Sequence, residues 1–283
     1  MIGVVSDLVE DIVVRLATTM NAASDTEAIV IRRRGGSAAN VAAAVARGGH
    51  ASRFIGHVGN DHVGDALVAA LRADGAEVVG NRGGRTGSVV VLLDHTGERT
   101  MLTDRGCCDD LDHPDPDWLV GLTTLHVPVY SLINEPLSRT TQVLVGWARE
   151  AGIAVSIDAS SAAVIASFGA EQLIRLLATM APTVLFCNEL EADTLRRGGD
   201  LDDVGAAITV VKHGGEPLEL IQRNQVPVRV PALTVEGVRD TTGAGDAFAA
   251  GFLVALANGS SPVSAASFGH QSAARAIAAA STG

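Results

Sequence analysis

The stretch Asp240-Thr241-Thr242-Gly243-Ala244-Gly245-Asp246-Ala247-Phe248 carries the strongest signal in the chain. Its two glycines leave the backbone open to a ligand, and the apolar residues that follow predict a helix. The free N–H groups at a helix start, with the positive end of the helix dipole, form a site for anions. Asp246 in the first turn would place a base beside a bound phosphate, where it could accept a proton from a hydroxyl group.

Along the rest of the chain and from this turn to its end, short apolar segments alternate with longer helical segments. The predicted strands are Ile2–Ser6, Ser52–His57, Thr124–Pro128, Ile153–Asp158, Val184–Cys187 and Thr209–Lys212. The predicted helices are Ala38–Arg47, Asp61–Asp74, Glu135–Ala151, Glu171–Met180, Glu189–Arg197, Gly243–Ala257 and Pro262–Ala280. This alternation indicates βαβ units. We therefore predict an α/β fold, a three-layer α/β/α sandwich with a mostly parallel central sheet, in a single domain over residues 1–283.

Two pairs of apparent strands lack an intervening helix. Asp11–Leu16 precedes Glu27–Arg32, and Thr86–Leu93 precedes Arg99–Thr103, with a hairpin turn expected at residues 94–97. We predict that these segments, at about 11–32 and 86–104, form a small β lid that excludes water from the site below it. An exposed lid could also pair with a second copy of the chain, so we expect a homodimer through this sheet.

Composition excludes several classes of protein. The 283-residue chain has 32 acidic and 21 basic residues, a formal net charge of −11 and only 3% aromatic residues, which gives no basic surface for nucleic acid. No apolar run is long enough to span a membrane, and the N-terminal segment lacks the basic start of a secretory signal. Cys107, Cys108 and Cys187 fit neither a disulfide framework nor zinc spacing. We expect a cytoplasmic protein with structural thiols.

A second glycine-rich segment, Gly35-Gly36-Ser37-Ala38-Ala39-Asn40, precedes a predicted helix. Paired glycines let a polyol approach the backbone, and the amide of Asn40 offers a donor and an acceptor to hydroxyl groups. Together with the 240–248 stretch, about 200 residues later, this segment resembles the signatures of the ribokinase-like (PfkB) carbohydrate kinases. The resemblance implies that Asp246 is the catalytic base, and that the backbone of Gly243, Ala244 and Gly245 forms the anion hole.

The same resemblance implies further binding residues. Gly35, Gly36 and Asn40 would contact substrate hydroxyls, as would Asp11, although Ser6 stands where the family usually has glycine. Asn188 and Glu191 resemble the element that holds the Mg²⁺ of ATP, with Glu191 on the metal side. Lys212 and Gly214 would contact the nucleotide. Asp240 and Thr242 match positions near a monovalent-cation site, which would take K⁺.

Plainer interpretations remain open for each motif. Asp, Asn and Thr cap many helices, glycine-rich helix entries need no ligand, and Asp11 fits a surface carboxylate. Within the kinase reading, ribose- and fructose-like sugars, 2-keto-3-deoxygluconate and nucleosides such as adenosine are alternative substrates. A sugar-binding regulatory protein is the non-enzymatic alternative. A nicotinamide oxidoreductase is disfavoured, because no Gly-x-Gly-x-x-Gly turn follows the first strand.

Overall fold

A nine-stranded sheet forms the centre of the molecule. The structure is a computed structural model that describes residues 1–94, 99–238 and 241–282. Its strands are β1 (Ile2–Val5), β2 (Val9–Leu16), β3 (Ala28–Gly35), β4 (Ser52–Val58), β5 (Glu77–Arg82), β6 (Thr86–Leu93), β7 (Arg99–Gly106), β8 (Thr124–Pro128), β9 (Ala154–Asp158), β10 (Val184–Asn188), β11 (Ile208–His213), β12 (Glu216–Gln222) and β13 (Val228–Val230). Its α-helices are α1 (Ser37–Arg47), α2 (His62–Ala73), α3 (Leu137–Glu150), α4 (Ala162–Phe168), α5 (Ala170–Met180), α6 (Glu189–Arg196), α7 (Ala244–Ala257) and α8 (Pro262–Thr282).

The central sheet is parallel over most of its width. Its order is β13-β12-β11-β10-β9-β8-β1-β4-β5. The strands from β11 to β5 run parallel, β12 is antiparallel to β11, and β13 is antiparallel to β12. Every residue of β1 is buried, as expected for a strand covered on both faces by helices. Because ligands of open parallel sheets bind at the carboxyl ends of the strands, the residues that follow β1, β9, β10 and β11 are the first place to look for a site.

Two apolar clusters cover the two faces of this sheet. One packs α1, α2, α7 and α8 against the sheet, and it contains the neighbouring rings of Phe186, Phe248 and Phe252. The other packs α3, α5 and α6 against the opposite face. The predicted three-layer α/β/α arrangement is therefore confirmed.

A separate four-stranded sheet has the order β3-β2-β6-β7. β2 and β6 pair in parallel, and the two edge strands are antiparallel to them. The carboxylate of Asp61, the N-cap of α2, accepts hydrogen bonds from the backbone N–H of Gly64 and from the N–H and hydroxyl of Thr86, the first residue of β6. These bonds hold the pKa of Asp61 at about 2 and tie the small sheet to the main body.

Several elements differ from the sequence prediction. Helix α4 and strands β5, β12 and β13 were not predicted, and the strands of the small sheet extend beyond the expected segments, β3 to Gly35 and β7 to Gly106. The predicted hairpin turn falls largely on residues 95–98, outside the described residues. Cys107, Cys108 and Cys187 are buried and make no disulfide.

Among the described helices, no single one is long and apolar enough to cross a membrane. The helices α4 and α5, with a bend of 98° between them, reach the length and apolar composition of a membrane span only when taken together.

Candidate active site

Asp246 lies in the first turn of α7, and its carboxylate is held by two side chains of α1. Ser37 Oγ donates a hydrogen bond of 2.8 Å to Asp246 Oδ1, and Asn40 Nδ2 donates one of 2.9 Å to Asp246 Oδ2. The two glycine-rich motifs, far apart in the sequence, therefore meet at this carboxylate. The structure brings Asn40 to Asp246, where the resemblance implied only a contact with substrate.

The proton affinity of Asp246 is raised. Burial disfavours the charged carboxylate and raises its pKa to about 6, with a further increase from Asp158. The hydrogen bonds from Asn40 and Ser37 and the positive charge of Lys212 act in the opposite direction. A carboxylate with a pKa near 6 is ionised at neutral pH and is a stronger proton acceptor than an exposed aspartate.

The turn before α7 has the shape of an anion site. Gly243 is the N-cap residue, and its φ of 75° lies in the left-handed region that favours glycine. The Ala244 N–H donates a 3.1 Å hydrogen bond to the Thr241 carbonyl oxygen and closes the turn. Because the first N–H groups of a helix lack intrahelical partners and attract anions, the anion site remains a prediction beside the capping interpretation.

Lys212 lies directly beside this turn. A Cβ atom built on Gly245 would be 3.5 Å from Lys212 Nζ, and the same Nζ donates a hydrogen bond of 3.0 Å to Asp158 Oδ2. Burial alone would lower the pKa of Lys212, but the charges of Asp158 and Glu191 outweigh it, so that the pKa is raised and the ammonium group stays protonated. The positive charge next to the helix N-terminus strengthens the attraction for a phosphate.

Asn188 and Glu191 form a capping box at the start of α6. Asn188 Oδ1 accepts a 2.9 Å hydrogen bond from the Glu191 N–H, and Glu191 Oε2 accepts a 2.8 Å bond from the Asn188 N–H. The capping interpretation of this motif is thus correct, and a metal role remains a prediction. Burial, with the nearby charge of Asp158, raises the pKa of Glu191 to about 7.

The described residues contain no group of three or more His, Cys, Asp or Glu side chains arranged to hold a metal. Mg²⁺ that accompanies a nucleotide is usually bound by phosphate oxygens and waters, with only one or two protein carboxylates. The residues at this site fit Mg²⁺ in that manner. Glu191 and Asp158 are the nearby carboxylates that could complete such a shell.

Asp11, Gly35 and Gly36 lie together at the junction of the small sheet with α1. Asp11 is 8% exposed, and a Cβ atom on Gly35 would lie only 2.0 Å from Asp11 Oδ1. Gly36 has a φ of 98°, and a Cβ atom there would lie 2.4 Å from the carbonyl oxygen of Asp7. Burial raises the pKa of Asp11, with Arg33 acting in the opposite direction. The carboxylate is thus enclosed, unlike the surface group of the plainer interpretation.

Three charged residues near the site were not singled out from the sequence. Asp158 ends β9, Asp7 follows β1, and Arg105 lies near the end of β7. Arg105 contacts Asp7 at 3.5 Å and Asp109 at 2.8 Å, and its guanidinium lies 5.6 Å from the centre of the Tyr130 ring. The sequence did contain a signal for two of them, because Asp7 directly follows a predicted strand and Asp158 ends another, and ligands bind at the carboxyl ends of parallel strands.

The remaining predicted residues lie around this centre. Gly214 is in the exposed turn between β11 and β12. Thr242 lies just before Gly243, on the wall of a cleft that also contains Asn40. Asp240, predicted to bind a monovalent cation, lies outside the described residues. The assignments of these three residues to nucleotide and cation remain predictions.

Comparisons with known proteins agree with this architecture. A model of the pfkB family of carbohydrate kinases matches residues 12–283. Probable fructokinase-6, chloroplastic, of Arabidopsis thaliana is 32% identical over 243 residues; the match covers 79% of this chain and 62% of that relative, so the chain spans less than two thirds of its length. The ATP-dependent ribose-1-phosphate kinase of Halopiger xanaduensis is 33% identical over 242 residues, covering 81% of this chain and 76% of the relative.

A solved structure gives the same result for the fold. The crystal structure of adenosine kinase from Sinorhizobium meliloti superposes with a TM-score of 0.86 at 23% identity, over 98% of this chain and 93% of that chain. With the α/β/α sandwich, the small second sheet and the family match over residues 12–283, the chain belongs to the pfkB family of carbohydrate kinases.

Proposed function

We propose that this protein is an ATP-dependent kinase that transfers the γ-phosphoryl group to a hydroxyl of a sugar or sugar-like molecule. The observation that carries the proposal is the position of Asp246, which Ser37 and Asn40 hold in the first turn of α7, directly after the glycine turn at Gly243. The family relationship and the ATP-dependent relative support the use of ATP.

The geometry provides the parts that phosphoryl transfer needs. Asp11, Gly35, Gly36 and Asn40 would orient the acceptor sugar, and Asp246 would take the proton of its hydroxyl group. The hydroxyl oxygen then forms a bond to the γ-phosphorus, the bond between this phosphorus and the bridging oxygen breaks, and ADP leaves. The N–H groups of Gly243, Ala244 and Gly245, with Lys212 beside them, would stabilise the charge that develops on the phosphoryl group.

The nucleotide would lie along the carboxyl ends of β10 and β11. Lys212 and the open turn at Gly214 are placed for its phosphates and adenosine, and Asn188 and Glu191 for its Mg²⁺, partly through water. Mg²⁺ would supply neutralisation of phosphate charge. The small sheet would act as a lid that excludes water, and Asp240 with Thr242 would form part of a K⁺ site.

The test is ATP consumption by the purified protein with a panel of acceptors. Fructose and ribose 1-phosphate come first, because relatives are named for them, followed by ribose, 2-keto-3-deoxygluconate and adenosine. Asp246→Asn should lower kcat by about 10²- to 10⁴-fold, the usual contribution of a general base. It should leave ATP affinity, measured by calorimetry, unchanged.

Two outcomes would count against the kinase proposal. A substrate-dependent rate that survives Asp246→Asn would remove Asp246 from the mechanism. If no acceptor stimulates ATP consumption while ATP and a sugar both bind, the protein would be a sugar-binding regulator.

A further inference from the structure

A cleft of about 410 Å³ opens beside the candidate active site, between β3, α1, α2, α7 and α8. Asn40 and Gly243 form its inner end, so the cleft reaches the side chain that contacts Asp246. Its size falls in the range of small-molecule sites. The charged residues on its walls are Asp11, Arg33, Arg34, Arg47 and Asp74.

Two of the three arginines share one carboxylate. Arg34 Nη1 donates a 2.7 Å hydrogen bond to Asp74 Oδ2, while Arg47 Nε and Nη2 donate bonds of 2.8 and 2.9 Å to Asp74 Oδ1 and Oδ2. A single negative charge cannot neutralise two guanidinium groups. The Arg34 side chain is only 11% exposed, and its Nε is buried with no hydrogen-bond acceptor among the described atoms. Arg34 is thus paired with Asp74 but shares that carboxylate with Arg47, and the remaining positive charge on the cleft wall favours an additional anion.

Arg33 brings a third guanidinium to the same cleft. Its Nε lies 3.8 Å from Asp11 Oδ2, and its side chain is 36% exposed. Asp11 and Asn40 would bind the neutral hydroxyls of the acceptor, and neutral hydroxyls do not require arginine side chains beside them. The planar guanidinium matches the oxygens of a phosphate or carboxylate, which it binds through paired, charge-assisted hydrogen bonds.

We propose that the acceptor sugar carries an anionic group, a phosphate or a carboxylate, that is bound by Arg33 and Arg34 while the reacting hydroxyl lies at Asp246. This inference rests on the proposed kinase function and narrows its substrate class. Asp74 and Arg47 hold Arg34 in position before the substrate arrives, which reduces the entropy lost on binding.

The experiment compares neutral sugars, sugar phosphates and sugar acids as acceptors for the wild-type chain and for Arg33→Gln. An anionic acceptor should give a kcat/KM at least about 10-fold above that of its neutral counterpart. Arg33→Gln should raise the KM for the anionic acceptor by about 10- to 100-fold, the usual effect of one charge-assisted hydrogen bond. The KM for the neutral counterpart should change much less, since there only the contact of Arg33 with Asp11 is lost. The ranking of sugar phosphates against sugar acids identifies the anionic group.

Arg32→Gln is the matched control. Arg32 is the preceding residue of β3, its side chain is 65% exposed, and it pairs with Glu10 rather than lining the cleft. This variant should behave as wild type with every acceptor. Arg33→Lys keeps the positive charge but loses the paired N–H donors of the guanidinium group. It should give a KM for the anionic acceptor between those of wild type and Arg33→Gln. Circular dichroism of all three variants excludes misfolding as the cause.

The possible failures are distinguishable. Efficient phosphorylation of neutral sugars, with Arg33→Gln equal to wild type, would overturn the anionic substrate and leave the kinase proposal intact. If no acceptor is phosphorylated, the kinase proposal fails, and thermal shift then tests the anion site alone. A stabilisation by sugar phosphate or sugar acid that Arg33→Gln abolishes and Arg32→Gln preserves would support the site, and no such stabilisation would overturn it.

Discussion

At Asp246, burial and hydrogen bonding act on the pKa in opposite directions. Burial is the larger effect and raises the pKa to about 6, while the bonds from Ser37 and Asn40 stabilise the charged form. The two donors therefore favour the ionised carboxylate against the effect of burial. Proton transfer is most effective when the pKa of the base lies near the working pH.

Removal of the Ser37 hydroxyl is expected to move the pH dependence of the reaction. The free enzyme should show a rise in kcat/KM as pH increases through about 6, because only ionised Asp246 accepts a proton. Ser37→Ala removes a donor to the charged form, so the pKa of Asp246 increases and this rise moves to higher pH. Activity at pH 6 should fall by about 10-fold, with a much smaller loss at pH 9.

Ser267→Ala provides the comparison for this pH series. Its hydroxyl donates to the backbone carbonyl of Val263 on an exposed turn of α8. Its profile should match that of wild type. An unchanged profile for Ser37→Ala would mean that the rise belongs to a different group.

At the scale of elements, the N-terminus of α7 and the ends of the parallel strands form one charged centre. Asp158 at the end of β9 binds Lys212 near the end of β11, and both lie close to the start of α7. Glu191 enters the same centre from α6. Each residue is placed by a short, buried strand or a helix start, so the positions are set by the packed core.

Gly243→Ala separates backbone strain from catalysis. Both Gly243 and Gly259, which follows α7, have positive φ, at 75° and 83°, and neither would bring a Cβ atom into a close contact. Alanine at either position should therefore lower the free energy of unfolding by a similar amount, about 1 kcal/mol. Chemical denaturation measures this loss.

Only the Gly243 variant should also lose activity. A shift of the first turn of α7 moves the N–H groups that would bind the phosphoryl group, and removal of such donors costs about 10²- to 10³-fold in kcat. If Gly243→Ala and Gly259→Ala have equal activity, the turn at Gly243 has no role in transfer.

The sequence predicted the fold class and the two glycine-rich motifs because these are local signals, whereas the contacts of Ser37 and Asn40 with Asp246 were not predicted. Glycine turns before helices and alternating apolar segments are visible in a single chain, so α1, α7 and the strand β8 were placed within about one residue. The strands β12 and β13 pair with neighbours in the sequence, β12 with β11 and β13 with β12, and they were missed because their partly exposed residues give a weak apolar pattern. Asp158 was missed for a different reason, because its role depends on Lys212, 54 positions away.

For the whole molecule, the small sheet presents apolar side chains to solvent. Ile29, Val30, Met101 and Leu102 on its edge strands β3 and β7 are each more than half exposed. Edge strands with exposed apolar residues favour pairing with another chain. The homodimer predicted from the sequence would place a second copy of this chain against these strands.

Light scattering with size-exclusion chromatography should give twice the chain mass at micromolar concentration. Ile29→Glu should give the monomer mass, because a charge would then be buried in the contact. Val226→Glu changes an equally apolar residue that is 83% exposed but lies outside the small sheet, and this variant should remain dimeric. A monomeric wild type, or a dimer that survives Ile29→Glu, would contradict a contact through this sheet.

The hydrogen bond between Ser37 and Asp246 joins residues 209 positions apart. A ribosome makes α1 long before α7, and α7 packs onto α1 in the same apolar cluster. Contacts this distant in sequence form slowly, because a long loop must close first. An incomplete nascent chain therefore lacks the contacts that hold Asp246, and the proposed kinase activity would begin only after synthesis and folding of the C-terminal helices.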